Sequence, residues 1–463
     1  MVVRPIETGE AVVQPGLFLG LAARLRALPV LRRTVLAIGG NVAGAAASFL
    51  TQMLLARSLA ATRYGVYSYV LAWVNFAVLL SKLEFDSAAL RYVAAYEGTG
   101  RDGLLAGFLR FGWRAVAWTA GSIALIGGSV AWLWRAHLPA GASDTILAAM
   151  VLMPLTALLS YSSSILQGLR RVPQAQLPQA VLRPVLFGAA LLVMVSVLNR
   201  QPSAGSAVAL NAFATVIAFG LSLFLVARAV PRAVKNAALM FEPKAWMSTV
   251  RGLMIIALGQ LVLSYQTDVL VVGTLLGARD AGLYSAASGL TAVLALAANG
   301  ISFVVFPIIS QLSARGSHHE LQRLVVRTVQ GSMAVTIPAA ILLCAAGPLV
   351  LHWYGPSFAG AAPVLFLLTA GWVAGLTVGG LASFLLIASG HERIASRVAI
   401  FIAAFNLTLS LILTPLFGLV GAAVATMAAA WIRAGLLYWY ASRTLNVAVL
   451  PFLPRERSMA AKA

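Results

Sequence analysis

Long apolar stretches alternate with short polar connections along nearly the whole chain. A helix needs roughly 20 consecutive, mostly apolar residues to cross the hydrocarbon core of a bilayer. Twelve stretches meet this requirement, at about 34–56, 65–82, 111–134, 145–168, 178–198, 206–229, 252–276, 283–306, 326–347, 361–388, 396–415 and 419–441. The longest connections run from about 83 to 110 and from about 230 to 251. The pattern predicts an all-α polytopic membrane protein with about twelve transmembrane helices.

Composition agrees with a bilayer, rather than water, as the solvent of this chain. Hydrophobic residues make up 60% of the 463 positions, charged residues only 10%, and the mean hydropathy is +0.91. Soluble proteins carry about 25% charged residues. So much apolar surface cannot be buried in a water-soluble core, which excludes a soluble enzyme or binding module.

The basic residues indicate how the chain is oriented in the membrane. Lysine and arginine number 33 against 13 acidic residues, a formal net charge of +20. With the N-terminus in the cytoplasm, 28 of these 33 residues fall on the cytoplasmic side, where membrane proteins concentrate them. The external side keeps only Arg57, Arg63, Arg135, Arg200 and Arg279. The charge therefore predicts cytoplasmic termini and contact with anionic lipids, and not nucleic-acid binding.

An internal repeat relates the two halves of the chain. The segment LARSLAATRYGVYSYV (55–70) resembles GTLLGARDAGLYSAAS (273–288), and an offset of 217 residues places Gly65 on Gly282 and Tyr67 on Tyr284. A weaker similarity places Gly168 on Gly390. Six spans per half is an even number, so both halves face the same way. The sequence thus predicts two six-helix lobes related by a pseudo-two-fold axis along the membrane normal.

Five segments follow from this division. They are a basic tail (1–33), an N-lobe (34–229), a cytoplasmic linker (230–251), a C-lobe (252–441) and a C-terminal tail (442–463). Four leucines recur at helical spacing in the first tail, which suggests an amphipathic helix on the membrane surface; they are Leu17, Leu21, Leu25 and Leu28. A basic tail without regular structure is the alternative.

A carboxylate inside the seventh span is the most unusual feature of the sequence. Gln260, Ser264 and Asp268 share one side of this helix, and the other side is apolar. A charge at the centre of a membrane helix costs about 2.5–3.5 kcal/mol on insertion scales. We therefore expect Asp268 to face a hydrated lumen, where it binds substrate or takes up H⁺ or Na⁺. Simple pairing with an arginine or tyrosine of a neighbouring helix is the alternative.

The first span carries a comparable polar stripe. Asn41 and Gln52 lie on it, and the repeat places Thr51 opposite Asp268. Both lobes should therefore present polar groups at a similar depth. The fourth span contains a run of serines with Tyr161 and Gln167, which we interpret mainly as helix–helix hydrogen bonding.

Three cationic positions are candidates for binding an anionic substrate. Lys82 ends the second span, Arg91 follows it, and Arg183 lies within the fifth span just before Pro184. The planar guanidinium fork suits phosphate oxygens, so Arg183 and Arg91 near a cavity mouth would hold a diphosphate. Orientation by charge, or pairing with nearby carboxylates, is the alternative for Lys82 and Arg91, and such a structural role is the alternative for Arg183 as well.

Signatures of catalysis are missing from the sequence. The five histidines are scattered without metal-ligand spacing, Cys344 is the single cysteine, and no glycine-rich nucleotide-binding loop is present. We therefore expect a transporter without a metal centre or an organic cofactor.

Four stretches resemble the polysaccharide flippases of the multidrug/oligosaccharidyl-lipid/polysaccharide (MOP) superfamily, and the similarity runs over about 34–445. They are RYGVYSYVLAW, SKLEFDSAALRYVAAY, QTDVLVVGTLLGARDAGLYSAASGL and GHERIASRVAIFIAAFNLTLSLILTPLFGLVGAAVATMAAAW. The resemblance implies two six-helix lobes around a cationic lumen. Its implied substrate is an oligosaccharide on undecaprenyl pyrophosphate, flipped outward across the bacterial inner membrane.

The resemblance also assigns residues and partners. Asp268 matches an acidic residue of the family's seventh span, Arg91 a basic residue after its second, and Arg183 an Arg-Pro of its fifth. A monomer that works beside a polymerase or export system is implied. The lumen arginines of peptidoglycan-precursor flippases are not matched, because span 1 has no charge before Arg57. A drug antiporter of the same superfamily and a polytopic glycosyltransferase are the alternative functions.

Overall fold

The computed structural model describes residues 29–135, 142–262, 265–294, 309, 318–389 and 391–445, and this part of the chain contains helices and no strand. The first half holds α1 (Pro29–Lys82), α2 (Phe85–Thr99), α3 (Asp102–Leu133), α4 (Ala142–Gly168), α5 (Val172–Val197), α6 (Ala204–Ala229) and α7 (Arg232–Asn236). The second half holds α8 (Pro243–Val262), α9 (Tyr265–Leu275), α10 (278–294), α11 (His318–Tyr354), α12 (Pro356–Ile387) and α13 (Glu392–Leu445). The all-α prediction is confirmed.

Eight of these helices are long and apolar enough to cross a membrane. Two contain about two crossings each, since Val42–Lys82 has 41 residues and Arg393–Thr444 has 52, at 1.5 Å per residue. Backbone breaks at Ala60 and Gly418 divide them. With α8–α9 and α10, the architecture is consistent with twelve crossings in two halves.

The breaks correspond between the halves. Ala60 has φ 59° and ψ 170°, and Gly277, which lies 217 residues later, has φ 96°. Left-handed backbone is open to glycine but strained for alanine. We call the end of the bundle formed by 83–103 and the linker the linker face. The other end, which we call the opposite face, holds the turns at Ala60, Asn199, Gly277 and Gly418.

The long connection predicted over 83–110 is mostly helical. α2 spans Phe85–Thr99 and α3 already begins at Asp102. Three arginines in this region interrupt the apolar run, although the helices bury Phe85, Val93 and Phe108. The first turns of α8, which begins at Pro243, lie within the linker predicted over 230–251.

The second half is attached to the first at the linker face. Met240 N donates to Gly103 O at 3.0 Å, and Trp246 Nε1 donates to Tyr96 Oη at 3.0 Å. The fully buried Trp246 ring packs on Phe108 at 5.4 Å between centroids. The start of α8 therefore belongs to the core of the first half.

A second contact between the halves lies towards the opposite face. A Cβ on Gly65 would overlap the carbonyl oxygen of Ala278, and a Cβ on Gly282 would overlap that of Ala61. Both pairs are related by the 217-residue offset. The helices thus cross on a local pseudo-two-fold axis, where equivalent residues meet.

Aromatic packing extends this contact. Tyr64 packs edge-on against Phe358 with 5.7 Å between centroids, and Tyr354 contacts both Phe49 and Phe358. Ala61 N donates to Ser357 Oγ at 3.2 Å. The first turn of α12 is therefore seated on the break of α1.

Candidate functional site

Asp268 lies in α9 and is 3% exposed. Its Oδ2 accepts from Tyr284 Oη and from Thr426 Oγ1, each at 3.0 Å, and its Oδ1 accepts from Asn406 Nδ2 at 3.1 Å. The donors come from α10 and from both parts of α13, so one carboxylate joins three helices. We call these four residues the acidic cluster.

The acidic cluster lacks a basic side chain. Throughout the residues that the structure describes, the ion pairs are those of Lys82, and none reaches Asp268. The arginine pairing considered from the sequence is therefore not what holds this carboxylate, whereas the tyrosine contact is present. A buried charge without a partner is unfavourable unless a proton or ion compensates it.

Further oxygens along α13 extend the acidic cluster. Asn406 Oδ1, Ser410 Oγ and Thr414 Oγ1 are buried, and no hydrogen-bond partner for them lies within the described residues. Their spacing of four residues places them on one helix face. One carboxylate with amide and hydroxyl oxygens is a hard-oxygen donor set, suited to a hard cation or a proton.

Arg183 forms a second cluster, in the first half. Its Nε donates to Asn211 Oδ1 at 3.1 Å, and Asn211 Nδ2 donates to Tyr67 Oη at 3.1 Å. The Tyr67 ring stacks on Phe187 with 6.3 Å between centroids. Arg183 makes no ion pair with any described residue, so its guanidinium keeps charge and donors for a ligand. We call Arg183, Asn211, Tyr67 and Thr51 the basic cluster.

Local backbone features present Arg183. A π-helical turn over Leu177–Leu182 precedes it, and Pro184 follows, which removes one backbone donor. Thr51 Oγ1 donates to Pro184 O at 3.0 Å and so joins α1 to this irregular segment. Gly44 allows α1 to approach it closely, because a Cβ there would overlap Ala180 O.

The two clusters occupy corresponding positions in the two halves. Offsets of 215 to 223 residues relate Thr51 to Asp268, Tyr67 to Tyr284, Asn211 to Thr426, and Arg183 to Asn406. In each half a tyrosine hydroxyl contacts a polar residue of the last span, at 3.1 Å for Asn211 and 3.0 Å for Thr426. In the first half this arrangement contains the cationic Arg183, and in the second half it contains the anionic Asp268.

The other predicted cations lie elsewhere. Lys82 Nζ contacts Asp86 Oδ2 at 2.6 Å and Glu84 Oε1 at 3.5 Å, so its charge is engaged by carboxylates. Ser160 Oγ also donates to Asp86. Arg91 is exposed on α2, with its guanidinium 5.9 Å from the Tyr92 ring centroid. Neither belongs to the basic cluster.

The polar stripes are described only in part. Gln52 Oε1 accepts from Tyr64 Oη at 2.9 Å, near the contact between the halves. The side chains of Asn41 and Gln260, and the whole of Ser264, lie outside the described residues. The amphipathic helix predicted around Leu17–Leu28 lies outside them too.

Asn406, Thr426 and Asn211 were missed by sequence reasoning. Each is one polar residue in an otherwise apolar span, a pattern that simple helix packing also produces. The repeat pointed to Asn406 and Thr426 only loosely, since their offsets from Arg183 and Asn211 are 223 and 215 residues and so differ by about two helical turns.

Apolar helices long enough to cross a bilayer, with two polar clusters among them, define a multi-pass membrane protein. The family model described as "Polysaccharide biosynthesis protein" matches residues 30–313, and the model "Lipid II flippase MurJ" matches residues 184–454. Each match covers more than half of the chain. The chain belongs to the polysaccharide biosynthesis protein family.

Known relatives agree with this assignment. A probable low-salt glycan biosynthesis flippase of Haloferax volcanii is 27% identical over 281 residues, 60% of this chain. The match spans only 57% of that relative's length. A multidrug resistance MATE transporter in an inward-facing conformation superimposes with a TM-score of 0.72 at 13% identity, covering 86% of this chain and 94% of that one.

The lipid II flippase MurJ, in an inward closed conformation, superimposes with a TM-score of 0.65 at 15% identity. The superposition covers 88% of this chain and 87% of the other. At such identities the similarity establishes the fold: the predicted MATE-like all-α fold is confirmed, and the predicted twelve helices in two lobes are consistent with it.

Proposed function

We propose that this protein flips an oligosaccharide linked to undecaprenyl pyrophosphate from the inner to the outer leaflet of a bacterial inner membrane, for synthesis of a surface polysaccharide. The observation that carries the proposal is the unpaired Arg183 guanidinium inside the first half. It supplies a positive charge within the span, where a diphosphate group must pass. The termini and linker face are then cytoplasmic.

Arg183 binds the diphosphate in this proposal. Its Nε is held by Asn211, which leaves the two terminal nitrogens to form a bidentate pair with phosphate oxygens. The negative charge of the diphosphate then lies beside the positive charge of Arg183 in the low-dielectric region, so each reduces the cost of burying the other. Alternating access of the two halves then exposes the site to each leaflet in turn.

Asp268 couples transport to an ion in this proposal. Its carboxylate has no basic partner in the described part of the chain, so its charge is balanced by H⁺ or Na⁺. It lies on α9 and accepts hydrogen bonds from residues of α10 and α13, so uptake and release of the ion would change how these helices pack. The ion gradient thereby supplies the direction of transport.

Leaflet-resolved analysis of lipid-linked sugars in cells tests the proposal. Cells lacking the protein should accumulate complete oligosaccharide units on the cytoplasmic leaflet. Arg183→Ala should do the same, and Arg183→Lys should retain part of the activity because it keeps the charge but not the fork. Arg171→Ala is the control, since Arg171 is an exposed arginine just before α5. An unchanged lipid pool would instead favour drug efflux, and incomplete units would favour a glycosyltransferase.

A further inference from the structure

A cleft of about 690 Å³ lies on the opposite face of the first half. The break between the two spans of α1 forms one wall, and the connection from α5 to α6 forms the other. Arg57, Arg63 and Arg200 line it together with the uncharged Asn199 and Gln201. No aspartate or glutamate is among the lining residues.

These arginines are concentrated where basic residues are scarce. Only five of the 33 basic residues fall on this side of the predicted topology, and three of the five line the cleft. None of the three makes an ion pair with a described residue. In the second half, the position equivalent to Arg63 is Asp280, so this arginine is not repeated there. Orientation by charge cannot explain this group, because that rule would remove arginines from this side.

Exposed apolar residues lie beside the cleft, at the end of α5. Val195 lines it, and the adjacent Val197 and Leu198 are 70% and 59% exposed at the end of α5. Apolar residues so exposed at the end of a membrane span face the bilayer. A ligand anchored in the external leaflet thus reaches the arginines sideways, without leaving the membrane.

We propose that this cleft binds the phosphate group of a lipid in the external leaflet. Three guanidinium forks match the oxygens of a phosphate or diphosphate, and the open side of the cleft accommodates an acyl or prenyl anchor. The lipid is either an ordinary anionic phospholipid or the carrier diphosphate that has just crossed. Only the second source rests on the proposed function.

The occupied cleft would act on the contact between the halves. Arg57 and Arg63 flank the break at Ala60, and the next residue, Ala61, donates to Ser357 of the second half. A headgroup held by these arginines therefore lies against the turn that contacts the second half. Carrier bound there would occupy an exit position beside that contact.

Lipid binding to the purified full-length protein in detergent tests the proposal. All proteins carry Arg183→Ala, so that binding at the basic cluster does not contribute. The probes are undecaprenyl pyrophosphate, phosphatidylglycerol, phosphatidylcholine and inorganic pyrophosphate. The test variant combines Arg57→Gln, Arg63→Gln and Arg200→Gln, and the matched control combines Arg135→Gln with Arg279→Gln.

We expect each single arginine change to weaken binding of the anionic lipids about fivefold, and the triple change about 100-fold. The control should change affinity less than about twofold. A preference for undecaprenyl pyrophosphate that disappears in the triple variant identifies the carrier. Equal affinity for phosphatidylglycerol identifies ordinary lipid phosphate.

Three results would overturn the proposal. The triple variant binds like its parent, the control variant loses as much affinity, or inorganic pyrophosphate binds as tightly as the lipids. If the triple variant is unstable, the lipid affinities of the three single variants still test the proposal. The binding experiment measures no transport, so a negative result in it does not contradict the flippase proposal. Normal flipping by Arg183→Ala in cells would likewise not contradict lipid binding in the cleft.

Discussion

Gly65 and Gly282 face each other where the second and eighth spans cross, and the internal repeat makes them equivalent. Each lies against the carbonyl oxygen of an alanine that the same repeat relates, Ala278 for Gly65 and Ala61 for Gly282. Two backbones approach this closely only where a side chain is absent. The axis that relates the halves therefore passes through a contact between glycines.

Enlarging this contact should separate the halves at the opposite face. Gly65→Ala places a methyl group into Ala278 O, so we expect the population closed at this face to fall and transport to decrease at least tenfold. Distances between spin labels on the two halves measure the closure. Gly289→Ala is the control, because nothing lies within 4 Å of its added methyl group. Unchanged distances in Gly65→Ala would contradict the role of this contact.

Asn211 should position Arg183 for the diphosphate. Asn211→Ala removes the acceptor of Arg183 Nε, and we expect the apparent KM for lipid-linked oligosaccharide to rise about tenfold with a smaller change in kcat. Initial rates in proteoliposomes at several substrate concentrations separate the two parameters. Tyr67→Phe should act in the same direction but less strongly, because it removes only the second bond of the chain.

The control for Asn211 lies on the same helix. Ser222 is buried in α6 and bonds Ser162 at 2.6 Å, away from Arg183. Ser222→Ala should lower thermal stability without raising KM. A KM that rises equally in both variants would mean that Asn211 is merely structural.

Asp268→Asn should uncouple transport from its ion. The amide keeps the size of the carboxylate but cannot hold a proton or a cation by charge, so the response to an imposed H⁺ or Na⁺ gradient should disappear. Fluxes in proteoliposomes with each gradient in turn measure the response and identify the ion. Asp144→Asn serves for comparison, since Asp144 is exposed at the start of α4. A normal response in Asp268→Asn would show that the ion binds elsewhere.

The breaks at Ala60 and Gly277 should respond in opposite senses to substitution. Ala60→Gly relieves a left-handed alanine and should stabilise the protein by about 0.5–1 kcal/mol, after the greater entropy of glycine in the unfolded chain is deducted. Gly277→Ala creates the same strain and should destabilise by about 1 kcal/mol, in open space where no clash contributes. Thermal unfolding in detergent measures both changes. Shifts of the same sign would contradict the equivalence of the two turns.

Hydropathy and charge predicted the all-α bundle because a bilayer imposes span length on every apolar helix. They did not indicate that helices occupy most of 83–110, because Arg91, Arg101 and Arg110 interrupt the apolar run there. In that region burial comes from contact with the linker and Trp246, which no local pattern reveals.

The candidate site was predictable one residue at a time but not as a set. Asp268 and Arg183 stood out because charges are rare within spans. Their partners Asn406 and Asn211 lie 138 and 28 residues away in the chain, and single amides in apolar helices carry no sign of what they contact. Proximity of this kind depends on how the spans are arranged around one another.

Because Trp246 bonds Tyr96 and packs on Phe108, the boundary between the two packed halves lies further along the chain than the linker. By sequence, the second half begins after the linker, yet the first turns of α8 are packed into the first half. A gene divided before Pro243 would therefore give two fragments that share a core, and the second would dock onto the first through its own leading helix. A gene divided nearer the middle of α8 would leave that anchor on the first fragment, and the fragments would then meet without it, through contacts such as that of Gly65 with Gly282.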